Sequence, residues 1–234
     1  MHLPTPLVEA ALVERLNRFA VSVEVGGERI CAHLPNSGRL TELLVPGVRG
    51  LLARHAREGR RTPYDLLLIR HAGIWVSVDA RLPGPLFREA VQRGALSAWL
   101  GFEVLKSEVR LGNSRLDLLL QNQEGGGAAT WVEVKSVTLV RQGCALFPDA
   151  VTARGTRHLE ELGQAARRGE GAAIVFIIQR EDAECFRPHW ESDPRFAQAL
   201  VRVAREGVQV FAYRCSVSPR EVQITGAVPV RLGG

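Results

Sequence analysis

From Ala172 to Gln179 the chain reads Ala-Ala-Ile-Val-Phe-Ile-Ile-Gln, with no charged residue. A half-buried strand alternates apolar and polar residues, whereas an unbroken run of this kind marks a strand buried on both faces. Such a strand lies inside a sheet covered by helices on both sides, so this part of the chain is expected to be an α/β domain. The flanks agree. Thr152 to Arg168 reads as a helix with Thr152 as its N-cap, and Pro194 to Glu206 as a helix capped by Asp193 with Pro194 at the first position. Val208 to Tyr213 is a further strand. Upstream, Leu86 to Leu100 carries apolar residues at helical spacing. Strands are expected at Val104 to Leu111, Ser114 to Leu120 and Thr130 to Val137, with the Gly-rich Gln121 to Ala129 as a hairpin loop. The order is helix, three strands, helix, strand, helix, strand.

The first third is different. Phe19 to Val25 alternates, Gly26-Gly27 turns, and Glu28 to His33 returns, which is a hairpin pattern. Val48 to Ala53, Tyr64 to Arg70 and Ile74 to Val78 are short strand candidates punctuated by Pro35, Pro46, Pro63 and Gly73. Strands at this spacing with almost no helical pattern indicate a small β-barrel. Composition shifts at Asp79 to Pro85, which divides the chain into residues 1–81 and 82–234.

Of the 30 basic residues, only Lys106 and Lys135 are lysines. Lys135 stands in Trp131-Val132-Glu133-Val134-Lys135-Ser136-Val137, inside a strand pattern. In a strand, residues 133 and 135 point to one face and Val134 to the other. A lysine kept beside a carboxylate, where arginine is used almost everywhere else, suggests a compact cation with a transferable proton. Asp117 lies on the preceding strand, among Leu116, Leu118, Leu119 and Leu120. Mg²⁺ takes hard oxygen ligands, commonly one or two carboxylates, and keeps waters and substrate phosphates. Asp117, Glu133 and Lys135 are therefore the expected catalytic set. Asp117 and Glu133 are the expected ligands of Mg²⁺ or Mn²⁺, with the Val134 carbonyl as a further oxygen and Glu89 of the first helix as a further acid. The competing reading is a plain ion pair on the polar face of a half-buried strand.

The formal net charge of +5 favours an anionic partner. In the barrel, Arg18, Phe19, His33, Asn36 and Arg39 are the candidates for DNA contact. Arg154 and His158 follow the acidic site at a helix start, where backbone N–H groups also favour phosphate. Arg54, Arg57, Arg60 and Arg61 form a basic run read as a solvated segment. Aromatic residues are 6% of the chain, so backbone-led binding is expected over base readout. Cys31, Cys144, Cys185 and Cys215 are scattered with no C-x-x-C, which indicates neither a disulfide framework nor zinc. No signal-peptide pattern or membrane span is read, so a reduced cytoplasmic setting without membrane contact is expected.

The chain resembles the sugar fermentation stimulation protein A family. The resemblance rests on Asn17-Arg18-Phe19, Ala32 to Leu40, Ser114 to Asp117, Val132 to Leu139, Phe147 to Ala150, Arg154-Gly155 and His158-Leu159. Ser37 and Val151 depart from the pattern, which has Thr and Pro there. The resemblance implies an N-terminal OB-fold followed by a restriction-endonuclease-like PD-(D/E)xK domain, DNA binding (double- or single-stranded), and a link to regulation of sugar (maltose) metabolism. Fold alone does not fix activity. A Mg²⁺-dependent deoxyribonuclease and a non-catalytic DNA-binding regulator therefore both stand as expectations, and a carbohydrate-binding barrel is a third. A homodimer is left open.

Overall fold

The computed structural model describes residues 1–55, 62–123 and 129–233. Arg57, Arg60 and Arg61 of the basic run, and the middle of the Gly-rich loop, lie outside the described residues.

The first six strands are β1 (Leu7–Asn17), β2 (Ala20–Val25), β3 (Glu28–His33), β4 (Arg49–Arg54), β5 (Tyr64–His71) and β6 (Ile74–Ser77). They lie in the order β3-β2-β1-β4-β5-β6, and a parallel contact of β3 with β5 at His33 and Asp65 closes the first five into a barrel. This is the OB-fold. Its interior is apolar, from Leu12, Val21, Val23, Leu34, Leu52, Leu66, Ile69 and Val76. The long first strand escapes the sequence reading. Register shifts between Leu12 and Glu14 and between Arg15 and Asn17 break its alternation, so no clean period of two is visible.

The second part begins with α1 (Pro83–Gln92). The helix stops earlier than its apolar spacing suggests, because the chain turns at Gly94 with φ 63°. A short 3-10 turn follows at Ser97–Trp99. Then come β7 (Phe102–Leu111), β8 (Ser114–Asn122), β9 (Thr130–Val137), β10 (Val140–Arg141), β11 (Cys144–Phe147), α2 (Ala153–Arg167), β12 (Gly171–Ile178), β13 (Cys185–Pro188), α3 (Pro194–Arg205), β14 (Gln209–Val217) and β15 (Val222–Ala227). The main sheet runs β15-β14-β12-β9-β8-β7, parallel across β9, β12 and β14 and antiparallel at its edges. The charge-free run is β12. Ala173, Val175 and Ile177 face a core shared with α1, while Ala172, Ile174, Phe176 and Ile178 face one shared with α2 and α3. Both caps read from the sequence are present: Thr152 Oγ1 accepts from the Gly155 N–H and Asp193 Oδ1 from the Phe196 N–H.

A small sheet, β10-β11-β13, lies beside the main one. It corrects the reading of the cysteines. β11 and β13 pair in parallel with Cys144 opposite Cys185, and the two form a disulfide across a Cα–Cα distance of 4.7 Å. Cys31 and Cys215 are free. Two cysteines 41 residues apart show no local spacing signal, and only the crossover brings them together. No described helix is long and apolar enough to cross a membrane.

Barrel and α/β domain share one core. Leu51, Ala53, Leu67 and Leu68 of the barrel pack with Phe87 of α1 and Val134 of β9. Gln179, fully buried just past β12, joins them by polar contacts. Its Oε1 accepts from Ser77 Oγ (2.9 Å), and its Nε2 donates to Ser136 Oγ (2.9 Å) and to the Asp79 carbonyl (3.1 Å). Gln179→Ala strands these partners, of which those on Ser77 and Asp79 are buried, and each unmet buried group costs about 1–3 kcal/mol. The variant is expected to lower unfolding stability by roughly 2–4 kcal/mol in urea titration. A loss within experimental error would remove Gln179 as the joint.

Candidate metal site at the barrel junction

The β8–β9 ladder ends at Leu118 and Val132. One step further the ladder bond is replaced by a side chain: the Val134 N–H donates to Asp117 Oδ2 at 2.7 Å. The sheet opens there, and Asp117 and Glu133 line one cavity of about 380 Å³ with Lys135. Val134 packs into the apolar core on the opposite face, as strand alternation requires.

Glu133 is only 4% exposed. Two cations or donors converge on one of its oxygens, Lys135 Nζ and His158 Nδ1, each 2.5 Å from Oε1. The other oxygen, Oε2, is buried and has no hydrogen-bond partner among the described residues. Arg154 Nε lies 3.3 Å from His158 Nε2. Arginine only donates, so Nε2 accepts and the ring hydrogen sits on Nδ1, which donates to Glu133. Burial pushes Glu133 up, but the Lys135 charge and the His158 hydrogen bond outweigh it and hold the carboxyl below its ordinary value. Asp117 goes the other way. Burial first, then the Glu133 charge, push it up to about 7 against the Val134 N–H, Lys135 and Arg154. A buried carboxylate with an unmatched oxygen and a half-buried one whose pKa is raised form a place that a hard cation fits. Among the described residues no group of three or more His, Cys, Asp or Glu is arranged to hold a metal alone. The protein offers two carboxylates, as Mg²⁺ sites that keep waters and substrate phosphates do.

The remaining walls come from both domains. Arg18, Asn36, Ser37 and Gly38 of the barrel face Phe147 to Thr152 and Arg154. Asp149 Oδ2 accepts from the Leu40 N–H at 3.2 Å, which ties the two loops. A Cβ on Gly38 would stand 2.5 Å from that same oxygen, so a larger residue would push this carboxylate out of its place.

Several expected residues are placed elsewhere or used otherwise. Glu89 is not among the cavity residues: its carboxylate lies 2.9 Å from Arg93 and 3.7 Å from the Met1 amino group. His158, expected to face DNA, is 2% exposed and sits behind Glu133 with both ring nitrogens taken. Asn36 lines the cavity, but its Nδ2 donates to the Val78 carbonyl and its Oδ1 accepts from Gly38 N–H, so it holds the loop. His33 is outside the cavity, with Nδ1 3.0 Å from the Phe19 carbonyl. Arg39 is exposed and outside it as well. Arg18 and Arg154 do line it. Sequence reasoning missed Asp149 and Gln179. Asp149 was visible in Phe147-Pro148-Asp149-Ala150, but nothing local says that its partner is Leu40.

Comparison with known proteins gives a consistent picture. Residues 13–78 match the family described as the SfsA N-terminal OB domain, and residues 81–221 the sugar fermentation stimulation protein RE domain. The chain is 48% identical over 233 residues to a sugar fermentation stimulation protein homolog of Moorella thermoacetica, covering 99% of this chain and 100% of that one. It is 44% identical to a homolog of Natranaerobius thermophilus, covering 96% and 94%. The solved structure of Pyrococcus furiosus SfsA in complex with Ca²⁺ superposes with a TM-score of 0.90 at 32% identity, covering 99% of this chain and 98% of that one.

Asp117 generates a pH dependence. Its folded pKa, about 7, is above the ordinary value of 3.8. The neutral form is therefore favoured by folding, and stability is lost as pH rises from near 4 through about 7. Asn at 117 does not titrate. In metal-free buffer, Asp117→Asn is expected to gain roughly 2–4 kcal/mol relative to the parent between pH 4.5 and pH 8 in denaturant unfolding. An equal difference at both pH values would show that Asp117 is not held in this environment.

Proposed function

The chain belongs to the sugar fermentation stimulation protein family, and from that premise we propose that it is a DNA-binding protein with a Mg²⁺- or Mn²⁺-dependent phosphodiester-cleaving site at the barrel junction. The observation that carries this reading is the split environment of Glu133: Oε1 is held by Lys135 and His158, while Oε2 is buried and unpartnered among the described residues, and the Glu133 charge acts on Asp117 in the same cavity. An ordinary surface ion pair has no reason to bury a free carboxylate oxygen next to a second acid. The Ca²⁺ complex of the Pyrococcus furiosus relative supports a hard divalent cation.

The residues would divide the work as follows. Asp117 and Glu133 Oε2 hold the cation, with the Val134 carbonyl as a further oxygen. The bound cation supplies a lowered water pKa and a polarised phosphate. His158 fixes the rotation of the Glu133 carboxylate and so aims Oε2. Lys135, only 14% exposed, keeps a positive charge at the reacting phosphate and can steady the attacking water. Arg154 and Arg18, on opposite walls, supply charge for the flanking phosphates. The arginines make binding salt-sensitive whether or not the strand is cut.

The test is cleavage of plasmid and single-stranded DNA with Mg²⁺ or Mn²⁺, beside Glu133→Gln and Lys135→Ala. Each variant is expected to lose about 100-fold or more of the cutting rate. Both are expected to bind DNA within a few-fold of the parent. Salt-sensitive DNA binding with no cutting under either metal would overturn the hydrolase and leave a DNA-binding regulator of sugar metabolism genes on a nuclease-type scaffold.

A further inference from the structure

The hairpin between β1 and β2 ends at Arg18 and Phe19. Phe19 is 48% exposed, and the Arg18 guanidinium carbon lies 5.4 Å from the centre of its ring. Arg18 also lines the cavity that holds Asp117, Glu133 and Lys135. Val151, 71% exposed, adds an apolar side chain to the same rim. A single exposed phenylalanine means little. The backbone that carries this one is held from several sides.

Arg15 donates from Nε to the Asn17 carbonyl (3.0 Å), from Nη2 to the Arg18 carbonyl (2.9 Å) and from Nη1 to the Arg39 carbonyl (2.6 Å). The Phe19 N–H donates to Asn17 Oδ1 at 2.9 Å. The Phe19 carbonyl accepts from the Leu34 N–H at 2.9 Å and lies 3.0 Å from His33 Nδ1. The polar groups of the tip thus fix its shape, and the ring takes no part in the barrel core. An apolar ring held rigidly in water beside a cation is preorganised for a planar partner, because little ordering is left to be done on binding.

We propose that Arg18 and Phe19 form a stacking subsite for an unpaired nucleobase, so that the cleft takes single-stranded DNA ahead of intact duplex. With the guanidinium over the ring, the pair presents a flat cationic and aromatic surface at the entrance to the acidic site. Only a base whose face is not covered by its neighbours in a duplex can lie on such a surface. The low aromatic content of the chain does not oppose this, since one platform at the entrance is enough to select an unstacked base. The subsite rests on the cavity being a DNA site, and not on its cutting.

The experiment uses oligonucleotides of about 16 nucleotides carrying 2-aminopurine, single-stranded or duplexed, titrated with the whole protein in Ca²⁺ or EDTA. Binding of the single strand is expected to change the 2-aminopurine fluorescence through stacking. Phe19→Ala is expected to abolish that change and weaken single-strand binding about 5- to 50-fold, with duplex affinity altered less than about two-fold. Phe19→Trp restores both. Phe19 lies outside the core, so the alanine variant is expected to fold, and its unfolding midpoint checks this. A fluorescence change that survives Phe19→Ala, or equal losses on both DNA forms, overturns the subsite. If the parent protein binds neither form, the subsite falls together with the DNA reading. A retained stacking signal without cutting in Mg²⁺ supports the subsite and removes only the hydrolysis.

Discussion

Eight consecutive parallel pairs join β9 to β12, from Thr130 beside Gly171 to Val137 beside Ile178. Because β12 is buried on both faces, β9 cannot shift without opening two cores at once. This clamp is what allows charge at the centre of the sheet. Glu133 is registered against Ile174 and Lys135 against Phe176, both fully buried apolar residues. A carboxylate in such surroundings is costly unless it is paired. Lys135 and His158 supply that pairing on one oxygen only. One Glu133 oxygen is therefore left unmatched among the described residues, and burial together with the Glu133 charge pushes Asp117 up to about 7.

The cavity is a property of two domains rather than one. Its acidic floor comes from the sheet, but Arg18 and the loop from Asn36 to Gly38 come from the barrel. Three independent links fix their relation: the shared apolar core, the Gln179 hydrogen bonds, and the Asp149 contact to Leu40. One is apolar packing and two are hydrogen bonds at separate places, so loss of one does not free the barrel. The barrel wall is thereby held against the acidic floor with little freedom to reorganise.

Much of this was legible in the chain, for reasons that can be stated residue by residue. β12 and both helix caps rest on local patterns, and local patterns survive folding. The acidic pair was legible because a lone lysine and an acid among leucines are anomalies of composition. The barrel's first strand was not, since its bulges remove the period that identifies a strand. The small sheet and its Cys144–Cys185 bridge depend on a parallel pairing between segments far apart in sequence, and a cysteine carries no mark of its partner. The barrel residues expected on DNA were chosen by residue type. Arg18 and Asn36 both line the cavity, but Asn36 is spent holding its loop, so the exposed Arg18 is the one left to face it; His33, Arg39 and Phe19 lie outside the lining.

Glu89, expected at the metal, lies away from Glu133, while His158, expected on DNA, contacts it, and strand parity explains why. Val132 and Val134 pack on the face that α1 covers, with Phe87 and Val91 against them. Glu133 and Lys135 alternate with those valines and so point to the other face, where α2 lies with Leu159 and Leu162. A side chain from α1 would have to cross the sheet to reach Glu133, whereas one from the first turns of α2 need only point inward. His158 sits one residue from Leu159 on that inward side, and Arg154, four residues earlier, lies one turn above it at the cavity. The helix that follows the acidic strand, and not the one that precedes the sheet, therefore completes the site. By the same parity, the groups that hold Glu133 are Lys135, on the same face of β9, and His158 of α2.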